Sequence, residues 1–313
     1  MKQRVAIIGS GVSGLTCAVL FAENGFETSI FAEQIGDETN SAAAAAIWYP
    51  YDVGSGAEII PWALVSYHRF LELARQSETG VSITELRVFS RLGPIVPPDW
   101  AQSFATRPLT GSEIPSAFVS GFTIDVPLIE TGKYLAYLAA RLTNAGGSVS
   151  SAMRFAQLEE VDPSFDLLIN CAGIGARELV PDPEMEPHRG QVAIVEKFDL
   201  PYAVVCDDPP LMYAIPRSND CVFGGTNEVS SNRAVDPRTT TAIMSECERV
   251  LGRSAPPLLR ERVGLRPGRS SGVRVAAEKV RDGRPVIHNY GHGGSGFTLS
   301  WGCGQTVLEL AMA

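Results

Sequence analysis

A glycine-rich turn follows the first apolar run of the chain. Val5 to Ile8 has the pattern of a short buried strand, and three glycines come directly after it within six residues. In such a turn the glycines allow the reversal off the strand, close approach of a pyrophosphate and packing of the next helix. The helix N-terminus then offers N–H groups to phosphate. The predicted phosphate-binding residues are Gly9, Gly11, Val12, Ser13 and Gly14.

An acidic residue stands at the end of the second predicted strand. The run from Glu27 to Phe31 is followed by Glu33 and Gln34. A carboxylate at this place can accept hydrogen bonds from both ribose hydroxyls of an adenosine, and it would repel a 2′-phosphate. The segment therefore predicts dinucleotide binding and disfavours NADP. An ordinary βαβ unit with a tight first turn is the alternative.

Composition limits the class of protein. The 313 residues, 45% of them hydrophobic, suffice for two domains or one large one. A net charge of −9 argues against nucleic acid as a partner, and the sequence lacks an apolar run long enough to span a membrane. The six cysteines show no metal-binding or disulfide spacing. We expect reduced thiols, no metal site and a cytoplasmic location.

The remaining pattern predicts a discontinuous α/β fold. An amphipathic helix from Ile129 to Ala145 and an apolar strand from Phe165 to Asn170 return the chain to the dinucleotide sheet. Four short strand patterns between residues 191 and 225 predict a mainly antiparallel sheet. We expect a Rossmann-like cofactor domain from residues 1–50, 130–176 and 265–313, and a substrate domain from 51–129 and 177–264.

A second glycine-rich turn lies near the end of the sequence. It follows a strand pattern from Val286 to Tyr290 and precedes a helix that starts at about Phe297. The N-terminus of such a helix would stabilise the negative charge of a reduced flavin. A nicotinamide enzyme has no obvious use for this second turn, so the sequence favours FAD as the cofactor.

Four motifs together resemble the D-amino-acid oxidase family, in the right order over nearly the whole chain. They are Trp48-x-Pro50-Tyr51, Tyr213-x-Ile215-Pro216-Arg217 with Gly224-Gly225-Thr226, Gly264-Leu265-Arg266-Pro267 leading to Arg274, and the stretch from His288 to Thr298 with Trp301-Gly302-Cys303.

The resemblance implies roles for individual residues. The guanidinium of Arg274 would bind the substrate carboxylate through two hydrogen bonds, and the Tyr213 hydroxyl would bind the same group. A backbone carbonyl near Gly294 would accept a hydrogen bond from the amine. The predicted pocket residues are Tyr49, Tyr51, Arg217, Asn227 and Ser295. The remaining predicted FAD contacts are Asn40, Ser41, Ala45, Ala46, Ile47, Arg154, Phe155, Cys171, Ala172, Gly173, Gly293, Gly296, Phe297 and Thr298.

The implied reaction is oxidative deamination of D-amino acids with neutral side chains. Hydride passes from Cα to flavin N5, O2 takes up the electrons to give H2O2, and the imino acid hydrolyses to a 2-oxo acid and ammonia. The expected partners are a D-amino acid and O2; the sequence does not fix the oligomeric state, and a homodimer is one open alternative. Arg217 could bind a second carboxylate, which would indicate a D-aspartate or D-glutamate oxidase; the favoured alternative is that its side chain points outward to solvent. A glycine or sarcosine oxidase, an NAD-dependent dehydrogenase and a dinucleotide-sensing protein are further alternatives.

Two motif-like patterns are not expected to carry chemistry. His288 and His292 are four residues apart, but glycines follow at once and no helix would hold both on one face for zinc. Ser295 stands among glycines without the last glycine of a nucleophile elbow, which disfavours a hydrolase.

Overall fold

The computed structural model describes residues 2–52 and 56–313, so Met1 and residues 53–55 of the predicted domain ranges lie outside it. The strands are β1 Arg4–Ile8, β2 Glu27–Phe31, β3 Val81–Ser90, β4 Arg107–Pro108, β5 Ser120–Ile129, β6 Ser148–Ser150, β7 Leu167–Asn170, β8 Met185–Glu196, β9 Ala203–Cys206, β10 Met212–Pro216, β11 Asp220–Gly224, β12 Glu228–Val229, β13 Leu258–Arg269, β14 Arg274–Lys279 and β15 Pro285–Tyr290. The helices are α1 Val12–Glu23, α2 Ile59–Leu73, α3 Thr131–Asn144, α4 Ala176–Leu179, α5 Pro237–Leu251 and α6 Gly296–Met312.

The chain divides into two compact units. Unit 1 contains Met1–Val81, Ile129–His188 and Leu265–Ala313, and unit 2 contains Ser82–Leu128 and Arg189–Gly264. The predicted domain ranges differ from these units at 51–52, 56–81, Ile129 and 177–188, which lie in unit 1.

Unit 1 is built on a six-stranded sheet with the order β14-β15-β7-β1-β2-β6. The pairs from β15 to β6 are parallel, and β14 runs antiparallel at one edge. Apolar side chains of β1 and β7 are fully buried, as expected of central parallel strands. Because β1, β7 and β15 come from distant parts of the sequence, the sheet joins the three segments of the unit.

Helices α1, α2 and α6 pack together in unit 1 through small residues. A Cβ atom at Gly302 of α6 would lie 2.3 Å from the backbone oxygen of Trp62 in α2, so the two helices touch at their backbones. The Ser66 hydroxyl of α2 accepts a hydrogen bond from the Trp301 amide. This packing is the reason that α2 belongs to unit 1.

Unit 2 contains most of the second sheet. Its strand order is β12-β8-β11-β10-β9-β3-β5-β4, with β13 beside β8. Strands β8, β11, β10 and β9 pair antiparallel in sequence, whereas β3 and β9 are parallel. Helix α5 contributes Ile243, Cys247 and Val250 to the core that covers one face of these strands. The two units confirm the predicted fold class, a Rossmann-like domain and a second, mainly antiparallel domain.

No helix in the described part of the chain is both long and apolar enough to cross a membrane.

Candidate active site

The first glycine turn of unit 1 admits no side chains at its three glycines. Gly9 has φ +106°, and a Cβ there would lie 2.4 Å from the carbonyl oxygen of Cys171. A Cβ at Gly14 would lie 1.9 Å from the oxygen of Gly9, and one at Gly11 would lie 2.9 Å from Ser41 Oγ. The turn thus brings β1, the start of α1 and the residue after β7 into backbone contact, as the motif predicts.

Hydroxyl groups fix the start of α1. Helix α1 begins at Val12, directly after Gly11, and the Val12 amide donates to Ser41 Oγ at 2.9 Å. The Ser10 hydroxyl donates to the Gln34 carbonyl at 2.6 Å. Asn40 Oδ1 accepts from the amide of Leu265 at 3.2 Å. Ser41, Gln34 and Asn40, which were predicted as cofactor contacts, therefore support the walls of the turn.

The predicted ribose-binding acid lies at the end of β2. The side chain of Glu33 is 61% exposed, and Arg154 Nη1 lies 3.6 Å from its Oε1. Phe155 packs against Phe31 with the ring centroids 5.9 Å apart. The 154–155 segment therefore borders the acid.

Residues after β7 form the opposite border of the turn. The Cys171 amide donates to the oxygen of Ile8 at 2.9 Å, and the Ala172 amide donates to Asn170 Oδ1 at 3.1 Å. Gly173 has φ +57°. The segment from Ala45 to Ile47 is half-buried, and the Ala46 carbonyl accepts from the amide of Ile129 at 2.8 Å.

The segment from Tyr49 to Asp52, which we call the tyrosine segment, lies along the N-terminus of α6. Ser295 Oγ donates to the Tyr51 carbonyl at 2.7 Å and accepts from the Tyr51 amide at 2.8 Å. Thr298 Oγ1 makes the same two contacts with the amide and carbonyl of Tyr49 at 3.2 and 3.1 Å. Ser295 and Thr298 are buried, so these hydroxyls hold the segment in place.

The second glycine turn adjoins the first. The Cβ position of Gly296 lies 3.6 Å from Val12 Cγ1, whereas a Cβ at Gly294 would lie 2.7 Å from the Tyr51 ring. Gly293 has φ +52°, and its amide donates to the Pro267 carbonyl at 2.9 Å. The N-termini of α1 and α6 are thus neighbours, and Phe297 is buried behind them.

Arg266 lies beside the tyrosine segment. Its guanidinium carbon is 6.0 Å from the Tyr51 ring centroid. The neighbours of Arg266 on both sides are tied to the turns, since Leu265 donates to Asn40 and Pro267 accepts from Gly293. Sequence reasoning missed this residue, although it stands in one of the motifs that carry the family resemblance.

Arg274, the predicted carboxylate ligand, is engaged by groups of its own chain. Arg274 hydrogen-bonds the Tyr290 hydroxyl and Glu278, and its Nη1 lies 3.8 Å from Asp182 Oδ2. Burial opposes the charge, but the hydrogen bonds that Arg274 donates to Tyr290 and Glu278 outweigh it and raise the pKa of the arginine. A guanidinium already neutralised by carboxylates of its own chain is a poor partner for another.

Arg217 is likewise committed within the chain. Its guanidinium makes two hydrogen bonds to Asp220, at 2.6 and 2.9 Å, across the β10–β11 turn. The side chains of the pair are only 10% and 14% exposed. Arg217 therefore does not present a free fork to a second substrate carboxylate.

Tyr213 of unit 2 lies against two glycines. It pairs with Gly224 across β10 and β11, and Cβ atoms at Gly224 and Gly225 would lie 2.0 and 2.8 Å from its ring. The glycine pair therefore leaves the space in which the ring lies. Asn227 is exposed two residues farther along.

Buried polar groups lie under the glycine turns of unit 1. His292 is 3% exposed, its Nε2 contacts Asn289 Oδ1 at 3.0 Å, and burial lowers its pKa to about 4. Asn289 Nδ2 lies 3.2 Å from Cys17 Sγ. The pKa of Cys171 is raised by its contact with Cys17 and by burial. His292 and Cys171 are therefore neutral at pH 7.

Comparisons with known proteins agree with this geometry. The family model described as FAD dependent oxidoreductase matches residues 4–310. The chain is 38% identical over 315 residues to a D-amino-acid oxidase of Rubrobacter xylanophilus, covering 99% of this chain and 96% of that protein. It is 36% identical to a D-amino-acid oxidase of Streptomyces coelicolor, covering 98% and 96%. Among solved structures, glycine oxidase from Bacillus cereus superposes with a TM-score of 0.83 at 19% identity, covering 99% of this chain and 95% of that one, a likeness of fold.

Proposed function

Because the chain belongs to the D-amino-acid oxidase family of FAD-dependent oxidoreductases, we propose that it deaminates neutral D-amino acids oxidatively with O2. The observation that carries the proposal is the meeting of two glycine turns at the N-termini of α1 and α6. One turn suits the pyrophosphate of FAD and the other the anionic edge of the reduced flavin ring, and both of these parts carry negative charge.

The residues of unit 1 fit FAD. A Cβ at Gly9 or Gly14 would collide with backbone oxygens, and one at Gly11 with Ser41 Oγ, so the three glycines allow the tight turn that presents the N-terminus of α1 to a pyrophosphate. Glu33 is exposed at the end of β2, where it would accept from the ribose. When bound, FAD supplies the acceptor for the hydride that leaves the substrate Cα.

We assign the substrate carboxylate to Arg266. A guanidinium fork holds a carboxylate by two parallel hydrogen bonds and so fixes the direction of the Cα–H bond. The position of Arg266 supports this role. It lies beside Tyr51, and both of its neighbours in the chain are hydrogen-bonded to residues of the cofactor turns. Tyr213 remains our proposed donor to the same carboxylate, and Gly294 the proposed backbone acceptor for the amine.

The rest of the reaction needs no general base from the chain. The amine enters neutral and the hydride leaves Cα with its electron pair, so the residues bind and orient rather than remove a proton from carbon. O2 takes up the two electrons and two protons as H2O2. The imino acid is released and hydrolyses to a 2-oxo acid and ammonia.

A neutral substrate side chain is favoured over an acidic one. The cation that would have supported D-aspartate or D-glutamate, Arg217, is paired with Asp220. Tyr49 and Tyr51 offer aromatic surface instead. We therefore propose that D-amino acids without a side-chain charge are the preferred substrates.

We also propose that the protein is located in the cytoplasm and assembles as a homodimer. The six cysteines are all buried free thiols, which suits a reducing compartment. Light scattering of the purified protein tests the assembly.

The direct test is anaerobic bleaching of the yellow holoprotein. The panel should contain D-alanine, D-valine, D-phenylalanine, D-aspartate, D-glutamate, glycine and the L-enantiomers. Bleaching by the neutral D-acids is expected, followed by one H2O2 per turnover in air. Preference for D-aspartate, or for glycine over D-alanine, would move the assignment to those oxidases, and absence of bleaching by every member would refute the proposed reaction.

Replacing each of the two arginines by alanine tests which of them binds the substrate carboxylate. Arg266→Ala should raise the KM of every substrate by roughly thirtyfold or more, which corresponds to about 2 kcal/mol for a charge-assisted hydrogen-bonded pair. Arg274→Ala should change the KM little and should lower stability instead. The reverse result would restore Arg274 as the carboxylate ligand.

A further inference from the structure

The tyrosine segment ends at a residue whose backbone and side chain are both engaged. Asp52 has φ +50°, and its carbonyl accepts from the amide of Gly294 at 3.1 Å. The contacts of Ser295 and Thr298 hold the earlier part of the segment by its backbone. Asp52 is therefore the last residue of the tyrosine segment, and its backbone contacts Gly294 just before the N-terminus of α6.

The Asp52 carboxylate lies against a histidine of β8. The His188 Nδ1 and Asp52 Oδ2 atoms are 2.9 Å apart, and since a carboxylate only accepts, Nδ1 is the donor. The side chains are 23% and 21% exposed, so water reaches only a part of the contact. Glu186 Oε2 lies at 3.5 Å from the other ring nitrogen, but that side chain is 55% exposed.

The other side of the His188 ring packs on β13. A Cβ atom at Gly268 would lie 2.8 Å from His188 Nε2 and 3.0 Å from Cε1, so the glycine leaves the space for the ring. Gly268 is two residues beyond Arg266 in the same strand. His188 thus contacts both the strand that carries Arg266 and, through Asp52, the segment that carries Tyr51.

We propose that His188 is a positioning residue for substrate binding, which sets Tyr51 and Arg266 at their working separation through its contacts with Asp52 and Gly268. This inference rests on the proposed function, in which Arg266 binds the substrate carboxylate. His188 touches neither substrate nor cofactor in this scheme. Its effect is on binding of the carboxylate, which every substrate carries. Loss of His188 should therefore weaken binding of every D-amino acid by a similar factor.

The test compares two substitutions at His188 with one matched control. His188→Ala removes the donor, whereas His188→Asn keeps an N–H at the δ position. Glu186→Gln changes the other carboxylate near the ring and leaves Asp52 in place. All three are purified with FAD bound, and KM and kcat are measured for D-alanine and D-phenylalanine together with the melting temperature.

We expect His188→Ala to raise KM about tenfold for both substrates with kcat within about twofold, as suits loss of a hydrogen bond to a charged group. His188→Asn should recover most of the affinity, and Glu186→Gln should resemble the unchanged protein. A merely structural role would lower the melting temperature without this separation of KM from kcat and without rescue by asparagine. A KM within twofold of the unchanged protein in His188→Ala, or failure of His188→Asn to recover affinity, overturns the inference.

Binding of propionate separates this inference from the proposed reaction. Propionate carries the carboxylate but has no amine to oxidise, and its dissociation constant is read from the flavin absorbance of the holoprotein. If no D-amino acid is oxidised, yet His188→Ala weakens propionate about tenfold and His188→Asn restores it, the reaction is wrong and the positioning role stands. Equal propionate affinity in all variants overturns the positioning role whatever the activity.

Discussion

A single added methyl group at Gly14 should prevent the protein from binding FAD. Its Cβ would lie 1.9 Å from a backbone oxygen, which cannot move without displacing the turn. We expect Gly14→Ala to be purified without FAD and not to retain added FAD on gel filtration. The absorbance ratio of flavin to protein measures this.

Gly132→Ala is the matched control for that change. Gly132 is exposed in the first turn of α3, and its Cβ would meet only Asp37 Oδ1 at 3.8 Å. The control should retain FAD fully, because the added methyl group meets no close neighbour. It should not weaken the helix either, because alanine is a better helix former than glycine. Full FAD retention by Gly14→Ala would contradict the role of the first turn.

Asp182 should matter for stability rather than for catalysis. Its side chain is 4% exposed and accepts from Arg269 Nε at 2.9 Å and from the Tyr290 hydroxyl at 2.8 Å. Burial would raise its pKa, but the hydrogen bonds from Arg269, Tyr290 and the Glu184 amide together lower it. The carboxylate therefore stabilises the fold above the unfolded pKa, and this contribution is lost as the pH falls through the folded pKa.

The corresponding prediction concerns Asp182→Asn. At pH 7 the free energy of unfolding should fall by about 3 kcal/mol, since one partner of a buried ion pair is removed. Below about pH 4 the Asp182 carboxyl of the unfolded chain is protonated, so the difference in free energy of unfolding between the unchanged protein and Asp182→Asn should shrink. Urea unfolding at pH 7 and pH 3.5 checks both, and a difference that does not depend on pH would contradict the assigned charge.

Helix α6 is the element that joins the cofactor turns to α2. A Cβ at Gly302 would lie 2.3 Å from the backbone of Trp62, whereas one at Gly304 would meet the end of the Leu20 side chain at 2.9 Å. A side chain can rotate away and a helix backbone cannot. Gly302→Ala should therefore destabilise unit 1 by about 2 kcal/mol or more through overpacking, and Gly304→Ala by clearly less. Melting temperatures of the two variants check the order, and equal effects would contradict the close α2–α6 contact.

The elements that sequence predicts best are those that depend on neighbouring residues. The strand, turn, helix and acid from Val5 to Glu33 form a local pattern, and each part has its expected place. The membership of α2 in unit 1 depends on contact with a helix more than 200 residues away, which periodicity does not reveal. Its half-apolar pattern predicts a helix but not the partner.

Arg274 shows the same limit within the candidate site. Arg266 and Arg274 stand in one arginine-rich segment, and the motif alone does not say which of them faces the substrate. The choice depends on the turn between β13 and β14, after which Arg274 pairs in register with Tyr290 and reaches Asp182. The different partners of Arg266 and Arg274 become visible only in the folded structure.

For the molecule as a whole, buried neutral histidines predict loss of stability in mild acid. Burial lowers the pKa of His292 to about 4, and it lowers that of His288, with the Arg274 charge adding to the effect. Between the unfolded pKa near 6.5 and the folded pKa, the unfolded chain binds more protons, so stability falls as the pH falls. His292 alone accounts for about 3 kcal/mol over this window.

Unfolding of the FAD-free protein between pH 7.5 and pH 4.5 tests this prediction. The free energy of unfolding should decrease steadily below pH 6.5, and His292→Gln should flatten the slope. His68→Gln changes an exposed histidine of α2 and should keep the slope of the unchanged protein. A stability that does not vary with pH over this interval would contradict the burial of a neutral His292.

The order of strands in the unit 1 sheet also bears on how the protein is made. Strand β7 lies between β1 and β15, and α6 starts six residues after β15 ends. On a ribosome, the first glycine turn would emerge more than 250 residues before β15 and the N-terminus of α6 that lies beside it. Until β15 emerges, β7 can pair with β1 but lacks its other neighbour in the sheet, and pairings so distant in sequence form slowly. FAD therefore cannot meet both glycine turns until β15 and the N-terminus of α6 have been synthesised.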